Sequence, residues 1–448
     1  MVQLQSAMGD GIAVEDGGPL TAAERRLTRY VAEAVDAIRF VWPRSVEELE
    51  KPTARYPPEF THQHFGESEK IVGYADLKVE IWVAPNTLEL LLKVSHEERD
   101  VTKEDPTLHP DDIRAKVSAG LRDEAALTTD EGRFRQALGD GSALVRPFGE
   151  KIHAYDRDGQ RFELFCVSAP VATASEAFKR HLGRAQSFAM WFIDAANYTD
   201  EDDDKWTHFL LYEVTQSASG APAHFLAGYS SVYLNYAYPE HIRPRIAQIL
   251  VLPPYRRQGH GVQLLQSIYN HYIPNPKVVD ITAEEPSDNY VALRDFVDAA
   301  NCAKLLSFQP AALRSGFTAA MAKEAKLTLK MATKQARRVY EILRLKDAGG
   351  DRERFERFRA DVSRRMNARF ERDERDFAKL SRLLRDDEVE ACRPSAEERA
   401  AELEAEFEAL CQRYRAAIGR VHAFAGAHFP ATAVPTASVN GTRLHTDS

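Results

Sequence analysis

The stretch Arg245-Ile-Ala-Gln-Ile-Leu-Val-Leu252, followed by Pro253-Pro-Tyr-Arg-Arg-Gln-Gly-His-Gly261 and Val262-Gln-Leu-Leu-Gln-Ser-Ile-Tyr269, decides the fold of this chain. It predicts an apolar strand, a tight turn with the pattern Arg256-x-x-Gly259-x-Gly261, and an amphipathic helix that begins at once. A helix start leaves about four backbone N–H groups without partners and carries partial positive charge. Gly259 and Gly261 have no Cβ atom to keep a phosphate from those donors. The stretch therefore predicts a pyrophosphate-binding loop.

Two common phosphate-binding motifs are excluded. A dinucleotide fold needs G-x-G-x-x-G with an acidic residue about 20 positions on, and a P-loop needs Gly-Lys-Ser/Thr. The pattern Arg/Gln-x-x-Gly-x-Gly/Ala between a strand and a helix instead resembles the acetyl-CoA loop of the GNAT acetyltransferase superfamily. On that resemblance, main-chain groups of Ile249, Leu250 and Val251 contact the pantetheine, and Arg256 or Arg257 adds a charged hydrogen bond to the phosphates. The pyrophosphate would be wrapped by Arg256, Arg257, Gln258, Gly259, His260, Gly261 and Val262.

Further segments narrow the resemblance. The block VVDITAEEPS (278–287) with YVALRDF (290–296) closely resembles the catalytic subunit of the type B histone acetyltransferases. The other matching segments are FTHQHFGESE (60–69), MWFID (190–194), DKW (204–206), GYSSVY (228–233) and KQARRVYEILR (334–344). The likeness runs in family order over roughly residues 25 to 422.

The resemblance implies an α+β fold with a GNAT-type mixed central sheet and flanking helices. We expect a disordered N-terminus (1–22), an α/β N-terminal domain on the histone-tail side (23–150) and an acetyl-CoA-binding catalytic domain (151–316). A helical C-terminal domain (317–424) and a disordered tail (425–448) follow. Lys78-Val-Glu-Ile-Trp-Val-Ala84 alternates like a half-buried strand, and Leu88-Glu-Leu-Leu-Leu-Lys-Val94 reads as its hairpin partner.

The helical region has its own pattern. Beyond Phe317 we expect antiparallel helices packed on each other, because Gly349-Gly350 and Pro394 interrupt the run. Ser395-Ala-Glu-Glu398 is a capping box, and Leu403, Phe407, Leu410, Tyr414 and Val421 form an apolar stripe after it. One face of the preceding helix repeats at helical spacing, with Phe355, Phe358, Val362, Met366, Phe370, Phe377, Leu380 and Leu384.

Composition sets the broad class. The chain has 448 residues with 44% hydrophobic residues, so two or three domains with sizeable cores are expected. No run of 18 uncharged apolar residues and no secretory signal are present, which predicts no membrane span. Four widely spaced cysteines (Cys166, Cys302, Cys392 and Cys411) imply a reducing compartment and no zinc site. The net charge of −9 argues against general nucleic-acid binding and suits a cationic partner.

Acetyl transfer to lysine also needs a base, since only about one lysine in a few thousand is neutral at pH 7. Glu284 ends the strand after the loop, where substrate crevices open in such sheets, and it matches the family's general base. Strand period 2 puts Asp280, Thr282 and Glu284 on one face and Glu285 on the other. Glu285 and Asp194 are supporting catalytic candidates, and Asp194 is the weaker because relatives commonly carry Glu there.

The remaining site candidates come from the resemblance. Ser287 lies where relatives contact the cofactor, and a capping hydroxyl is its alternative role. Glu67 and Glu69 match acidic positions that engage the histone H4 tail. Tyr233 and Asn235 match the segment beside that tail, and Trp206 is a further candidate there. The acidic run at 200–204 is most simply an exposed loop.

We therefore predict a lysine acetyltransferase for free, newly made histone H4 with its histone partner, acting by direct transfer in a ternary complex. Acetyl-CoA is the co-substrate, and no metal is expected. The resemblance further implies a WD40 histone-binding subunit as partner, a role in chromatin assembly, and a place in cytoplasm and nucleus, without nucleic-acid or membrane binding. Two alternatives stay open. One keeps the chemistry with other protein lysines or α-amines as acceptors, and the other is a non-catalytic histone-binding scaffold.

Overall fold

The computed structural model describes residues 28–52, 54–97, 109–139, 147–216, 220, 222–380 and 396–424, with only the backbone of 369–380, 396 and 421–424. The predicted disordered ends, 1–22 and 425–448, lie outside the described residues. The same holds for Cys392, for Leu384 and for Ser395 of the predicted capping box. Among the described helices, none is long and apolar enough to cross a membrane.

Short elements dominate the N-terminal part. Its strands are β1 (Val31–Glu33), β2 (Ile38–Val41), β3 (Lys70–Val72), β4 (Lys78–Val83), β5 (Leu90–Ser95) and β6 (Leu127–Thr128). Its helices are α1 (Ala34–Ala37), α2 (His62–Phe65), α3 (Ile113–Ala119) and α4 (Glu131–Gly139), with 3-10 turns at Glu47–Leu49 and Glu124–Ala126. The strands form a two-stranded sheet, β1-β3, and a four-stranded sheet in the order β2-β4-β5-β6.

The predicted hairpin is confirmed. Strands β4 and β5 pair antiparallel, from Lys78 opposite Ser95 to Val83 opposite Leu90. The alternate residues Val79, Ile81 and Val83 are buried, but Trp82 on the opposite face is buried as well. The predicted half-buried alternation therefore holds only for the first half of the strand, from Lys78 to Ile81. A small core of Val41, Leu49, Trp82, Ala84, Leu91 and Phe134 packs beside it.

Longer strands build the central sheet. They are β7 (Glu150–Arg157), β8 (Gln160–Val167), β9 (Trp206–Gln216), β10 (Pro222–Ala237), β11 (His241–Val251) and β12 (Thr282–Ala283). The strand order is β12-β11-β10-β9-β8-β7. Strands β7 to β10 pair antiparallel, whereas Ile242 forms a parallel bridge with Val278. The sheet is therefore mixed, and the predicted α+β class is confirmed.

Helices flank and follow this sheet. Before β9 come α5 (Ala169–Ala174), α6 (Glu176–Ser187) and α7 (Ala189–Phe192), and after β11 come a 3-10 turn (Pro253–Tyr255) and α8 (His260–Tyr272). The later helices are α9 (Asp288–Cys302), α10 (Pro310–Leu313), α11 (Ala319–Leu329), α12 (Thr333–Ala348), α13 (Arg352–Leu380) and α14 (Ala396–Phe424), with a 3-10 turn at Leu306–Phe308.

The chain forms two compact units. Among the described residues, the first holds everything up to Leu234 together with Ile246–Leu264. The second holds Asn235–Arg245 and everything from Leu265 onward. The domain boundaries expected from the sequence stay predictions.

The C-terminal helices of the second unit pack antiparallel, as predicted. Between α12 and α13, Glu341 pairs with Arg365 and Arg344 pairs with Asp361. Residue numbers therefore increase along one helix as they decrease along the other, which makes the pair antiparallel. Between α13 and α14, Phe358 packs on Phe407. Buried hydrogen bonds reinforce the packing, since the Tyr414 hydroxyl donates to Glu341 at 2.8 Å. These helices pack through apolar side chains, and the Glu341 carboxylate is buried among them with its charge paired to Arg365.

Candidate active site

The glycine loop has the local structure that its sequence predicts. Strand β11 ends at Val251, and α8 begins at His260 after the turn at Pro253–Tyr255. The backbone enters the left-handed region at Arg257 (φ 61°) and at Gly259 (φ 89°). Glycine adopts that region without the Cβ clash that other residues meet. The turn thus brings Gly261 into the first turn of a 13-residue helix, where backbone donors and the helix dipole favour an anion.

Several side chains of the loop are committed to the protein itself. The Arg256 guanidinium donates to the Val251 carbonyl at 3.0 Å, pairs with Glu59 and lies over the Phe192 ring at 4.9 Å. The Gln258 amide donates to the Pro254 carbonyl at 2.9 Å. Arg256 therefore braces the loop.

His260 also points inward. Its Nδ1 lies 2.7 Å from the Tyr155 hydroxyl, and its ring packs on Phe162 with centroids 4.3 Å apart. Burial lowers the pKa of His260 to about 4, so the imidazole is neutral at physiological pH. Arg257 is exposed, and its guanidinium is accessible to a phosphate. Any contact of the loop with a ligand is then mainly through its backbone and Arg257.

Strand β11 is tightly fitted just before the loop. Leu250 is buried, while Ile249 and Val251 are half-buried. A Cβ added at Gly228 of β10 would lie 2.5 Å from the Leu250 carbonyl oxygen. Only glycine permits this approach, and β10 carries a bulge at the same place, between Leu226 and Gly228.

Glu284 stands directly after β12 in the second unit. Its Oε1 lies 2.8 Å from Nη2 of Arg245, and the two side chains are 45% and 40% exposed. Two residues earlier, Thr282 approaches the Pro244 carbonyl, and Asp280 is buried against Arg243. Asp280, Thr282 and Glu284 thus meet the successive β11 residues Arg243, Pro244 and Arg245, and their placement on one strand face stays a prediction.

The strand itself is shorter than predicted. It comprises Thr282–Ala283 and an isolated bridge at Val278, because the intervening Ile281 N–H donates to the Lys330 carbonyl instead. Glu285 follows at φ 30° and is exposed. Ser287 caps α9, since its hydroxyl accepts from the Tyr290 N–H at 3.3 Å.

The candidates of the first unit are spread over two segments. Asp194 follows α7, is 71% exposed and lies 3.6 Å from His62 Nε2. Glu67 is exposed in the turn after α2. Glu69, in contrast, accepts hydrogen bonds from both the N–H and the hydroxyl of Thr61. One carboxylate of this acidic pair is therefore open to a ligand, and the other mainly holds its own loop.

The aromatic candidates Trp206 and Tyr233 also make contacts within the protein. Trp206 and Tyr233 pack edge to face, with centroids 4.9 Å apart, and Lys205 Nζ lies 5.9 Å above the Tyr233 ring. Asn235 is half-buried in the second unit. Sequence reasoning missed Arg245 and Glu59, whose roles depend on partners far along the chain. The only signal in the sequence was that two arginines, Arg243 and Arg245, alternate in one strand and two acidic residues, Asp280 and Glu284, alternate after the loop.

Comparisons with known proteins now decide the family. The family model of the histone acetyl transferase HAT1 N-terminus matches residues 30–194, and that of the histone acetyltransferase type B catalytic subunit, C-terminal, matches residues 294–345. The type B catalytic subunits of Mus musculus and Homo sapiens are each 34% identical over 408 residues, covering 90% of this chain and 96% of theirs. That of Schizosaccharomyces pombe is 32% identical, covering 60% of this chain and 65% of its own.

The chain belongs to the family of type B histone acetyltransferase catalytic subunits. It is an acyltransferase enzyme, and the family implies acetyl-CoA as its acyl donor. The resemblance seen in the sequence is thereby confirmed.

The loop fits the donor's pyrophosphate. The start of α8, two glycines without Cβ atoms and the exposed Arg257 supply backbone donors, space and a positive charge. Among the described residues, no group of three or more His, Cys, Asp or Glu could hold a metal ion, and the expectation of no metal stays a prediction.

Proposed function

We propose that this type B enzyme transfers the acetyl group of acetyl-CoA to a lysine in the N-terminal tail of free, newly made histone H4. The proposal rests on the family match, which spans 96% of the length of the mammalian relatives. Their names describe histone acetyltransferases, and the choice of H4 comes from the sequence resemblance. An exposed Glu67 and the net charge of −9 suit a basic tail.

Direct transfer in a ternary complex is the mechanism that we propose. Acetyl-CoA supplies the activated acyl group, and this chain must hold it and remove a proton from the acceptor. The backbone at Gly259 and Gly261 and the Arg257 guanidinium would bind the phosphates. Main-chain groups of Ile249, Leu250 and Val251 would align the pantetheine.

Glu284 is the proposed general base. A carboxylate that accepts the ammonium proton as attack proceeds typically contributes about 10²- to 10⁴-fold. Arg245 holds this carboxylate at 2.8 Å and keeps it oriented while it stays accessible to solvent. The incoming lysine ammonium has the same charge as Arg245 and can take its place. Among the free thiols of the described residues, Cys166, Cys302 and Cys411 are all buried, so none suits an acetyl-enzyme intermediate.

The proposed surroundings follow the resemblance. We propose a WD40 histone-binding subunit as partner, H4 bound together with its histone partner, a role in chromatin assembly, and residence in cytoplasm and nucleus. Co-purification of tagged protein from cell extract, with fractionation of cytoplasm and nucleus, tests these proposals.

One experiment separates the acceptor classes. The purified enzyme is incubated with acetyl-CoA and either an H4-tail peptide, unrelated lysine peptides or peptides with only a free α-amine, and the products are analysed by mass spectrometry. We expect acetylated lysine in the H4 peptide at a rate well above the others. Equal rates on all lysine peptides would replace the H4 proposal by a general protein lysine acetyltransferase.

A further inference from the structure

A buried amide in β11, that of Gln248, is held at both its main chain and its side chain. The Ser230 hydroxyl donates to the Gln248 carbonyl at 2.7 Å. The Tyr229 hydroxyl donates to the side-chain Oε1 at 3.2 Å. Gln248 is only 7% exposed and directly precedes Ile249. The strand is thus fastened at the residue before its proposed acetyl-CoA contacts.

The other end of this amide reaches a different segment. Gln248 Nε2 donates to the carbonyl of Asn197. Asn197 lies in the 194–199 segment, which begins with the candidate carboxylate Asp194. Ala195, which follows Asp194, has φ 49°, a conformation that residues with a Cβ rarely adopt. Such a backbone keeps its shape only when surrounding contacts over-determine it.

A second buried amide, Gln186, supports the first. It is fully buried, its Oε1 lies 3.3 Å from the Thr199 N–H, and its Nε2 lies 2.9 Å from the Thr199 hydroxyl. The same Nε2 lies 3.3 Å from Gln248 Oε1. An amide offers two N–H donors, so Gln186 can serve Thr199 and Gln248 together. The two amides hold the 194–199 segment at two points.

Contacts on the histone-tail side complete the arrangement. Gln63 of α2 donates to the Ala196 carbonyl at 2.7 Å, and the Tyr198 hydroxyl donates to the Gly120 carbonyl at 2.8 Å. The 194–199 segment is therefore hydrogen-bonded to the acidic 60–69 segment through Ala196 and to β11 through Asn197. All of these residues belong to the first unit.

We infer that Gln248 is a positioning residue of acetyl transfer, which holds the 194–199 segment in register with the acetyl-CoA strand. The inference rests on the proposed function, because it takes β11 as the acyl-donor strand and residues 60–69 and Asp194 as the acceptor side. Gln248 touches neither substrate in this role. It acts by fixing the separation of the two sides, and a displacement of about 1 Å can reduce a rate by about a hundredfold.

The test replaces Gln248 by Met, which keeps the side-chain length and removes every hydrogen bond of the amide. We expect kcat for the H4 peptide to fall by about tenfold or more, since alignment is lost, while the calorimetric Kd for acetyl-CoA stays nearly unchanged. Hydrogen exchange should rise in peptides covering residues 194–199. If the Met variant does not fold, Gln248→Asn withdraws the donor from Asn197 with a smaller change, and its kcat should fall likewise.

A matched control removes another buried hydrogen bond of the same unit. The Tyr212 hydroxyl lies 3.0 Å from His181 Nε2, and Tyr212→Phe should lower the melting temperature without changing kcat. A folded Gln248 variant with wild-type kcat would overturn the inference. So would a fall in kcat that the Tyr212→Phe control shows to the same extent. A wild-type enzyme that fails to acetylate H4 peptide would instead count against the proposed function.

Discussion

At the scale of single residues, the surroundings of Glu284 matter more than its position in the sequence. The Arg245 guanidinium lies 2.8 Å from the carboxylate, and both groups are partly exposed. An exposed ion pair of this kind contributes about 0–1 kcal/mol to stability. Its removal should therefore change chemistry more than folding.

The first prediction is that Glu284→Gln lowers kcat by about 10²- to 10⁴-fold with little change in acetyl-CoA affinity. Gln keeps the shape of the side chain but cannot accept a proton at neutral pH. The residual rate should rise with pH, because a larger fraction of the substrate lysine is then already neutral. Steady-state rates on H4 peptide between pH 6 and 9 measure both effects.

Glu285→Gln and Asp194→Asn are the matched controls, since both carboxylates are exposed candidates that differ from Glu284 in position. We expect each to retain more activity than Glu284→Gln. If Glu284→Gln keeps most of its rate across this pH range while Glu285→Gln loses it, then Glu285 is the base.

The second prediction separates two neighbouring carboxylates. Glu67 is exposed, whereas Glu69 accepts from the Thr61 N–H at 2.9 Å and from its hydroxyl. Glu67→Gln should raise KM for H4 peptide at low salt by a factor corresponding to about 0.2–1 kcal/mol. Glu69→Gln should lower the melting temperature, because it weakens two charge-assisted bonds. Kinetics and thermal unfolding of both variants test this, and a normal KM in Glu67→Gln at low salt would contradict it.

At the scale of elements, the phosphate site depends on the start of α8. Gly261 lies in the first turn of this 13-residue helix, and Gly259 takes a left-handed conformation. The third prediction is that Gly261→Glu abolishes acetyl-CoA binding. The new side chain fills the space before the backbone donors and brings a charge that repels phosphate. Isothermal calorimetry with acetyl-CoA measures the loss.

Gly419→Glu is the matched control for this variant. Gly419 also lies in a helix, α14, is exposed, and an added Cβ would meet no atom within 4 Å. The control adds the same charge and should bind acetyl-CoA like the wild type. Unchanged affinity in a folded Gly261→Glu protein would refute the assignment of the loop.

The sequence predicts elements well where their partners are close along the chain. The hairpin of β4 and β5 follows from local alternation, and the strand, turn and helix around Gly259 follow from local composition. The strand predicted to end at Glu284 is shortened because the Ile281 N–H donates to the Lys330 carbonyl, nearly fifty positions away. Glu59 and Arg256, which form an ion pair, lie still farther apart in the sequence. A periodicity argument carries no information on such pairs.

At the scale of the whole molecule, buried polar groups concentrate in the first unit. Its buried histidines are His64, His181, His208 and His260. Burial lowers the pKa of His208 to about 3 and the pKa values of the other three to about 4. All four are therefore neutral in the folded protein at physiological pH.

The fourth prediction is that the first unit loses stability between pH 7 and pH 4. In the unfolded chain these imidazoles have pKa values near 6.5. Below that pH the unfolded state therefore binds protons at these residues, whereas the folded state does not. The free energy of unfolding then falls as pH falls, until the folded pKa values are reached. The free energy of unfolding is measured with denaturant between pH 7.5 and 5 at fixed ionic strength. Its slope against pH should correspond to the uptake of several protons on unfolding. His208→Asn, in which an amide replaces the Nδ1 that lies 3.1 Å from the Ser231 hydroxyl, should reduce that slope by about one proton. A slope unchanged in this variant would mean that His208 is already protonated in the fold, contrary to its burial.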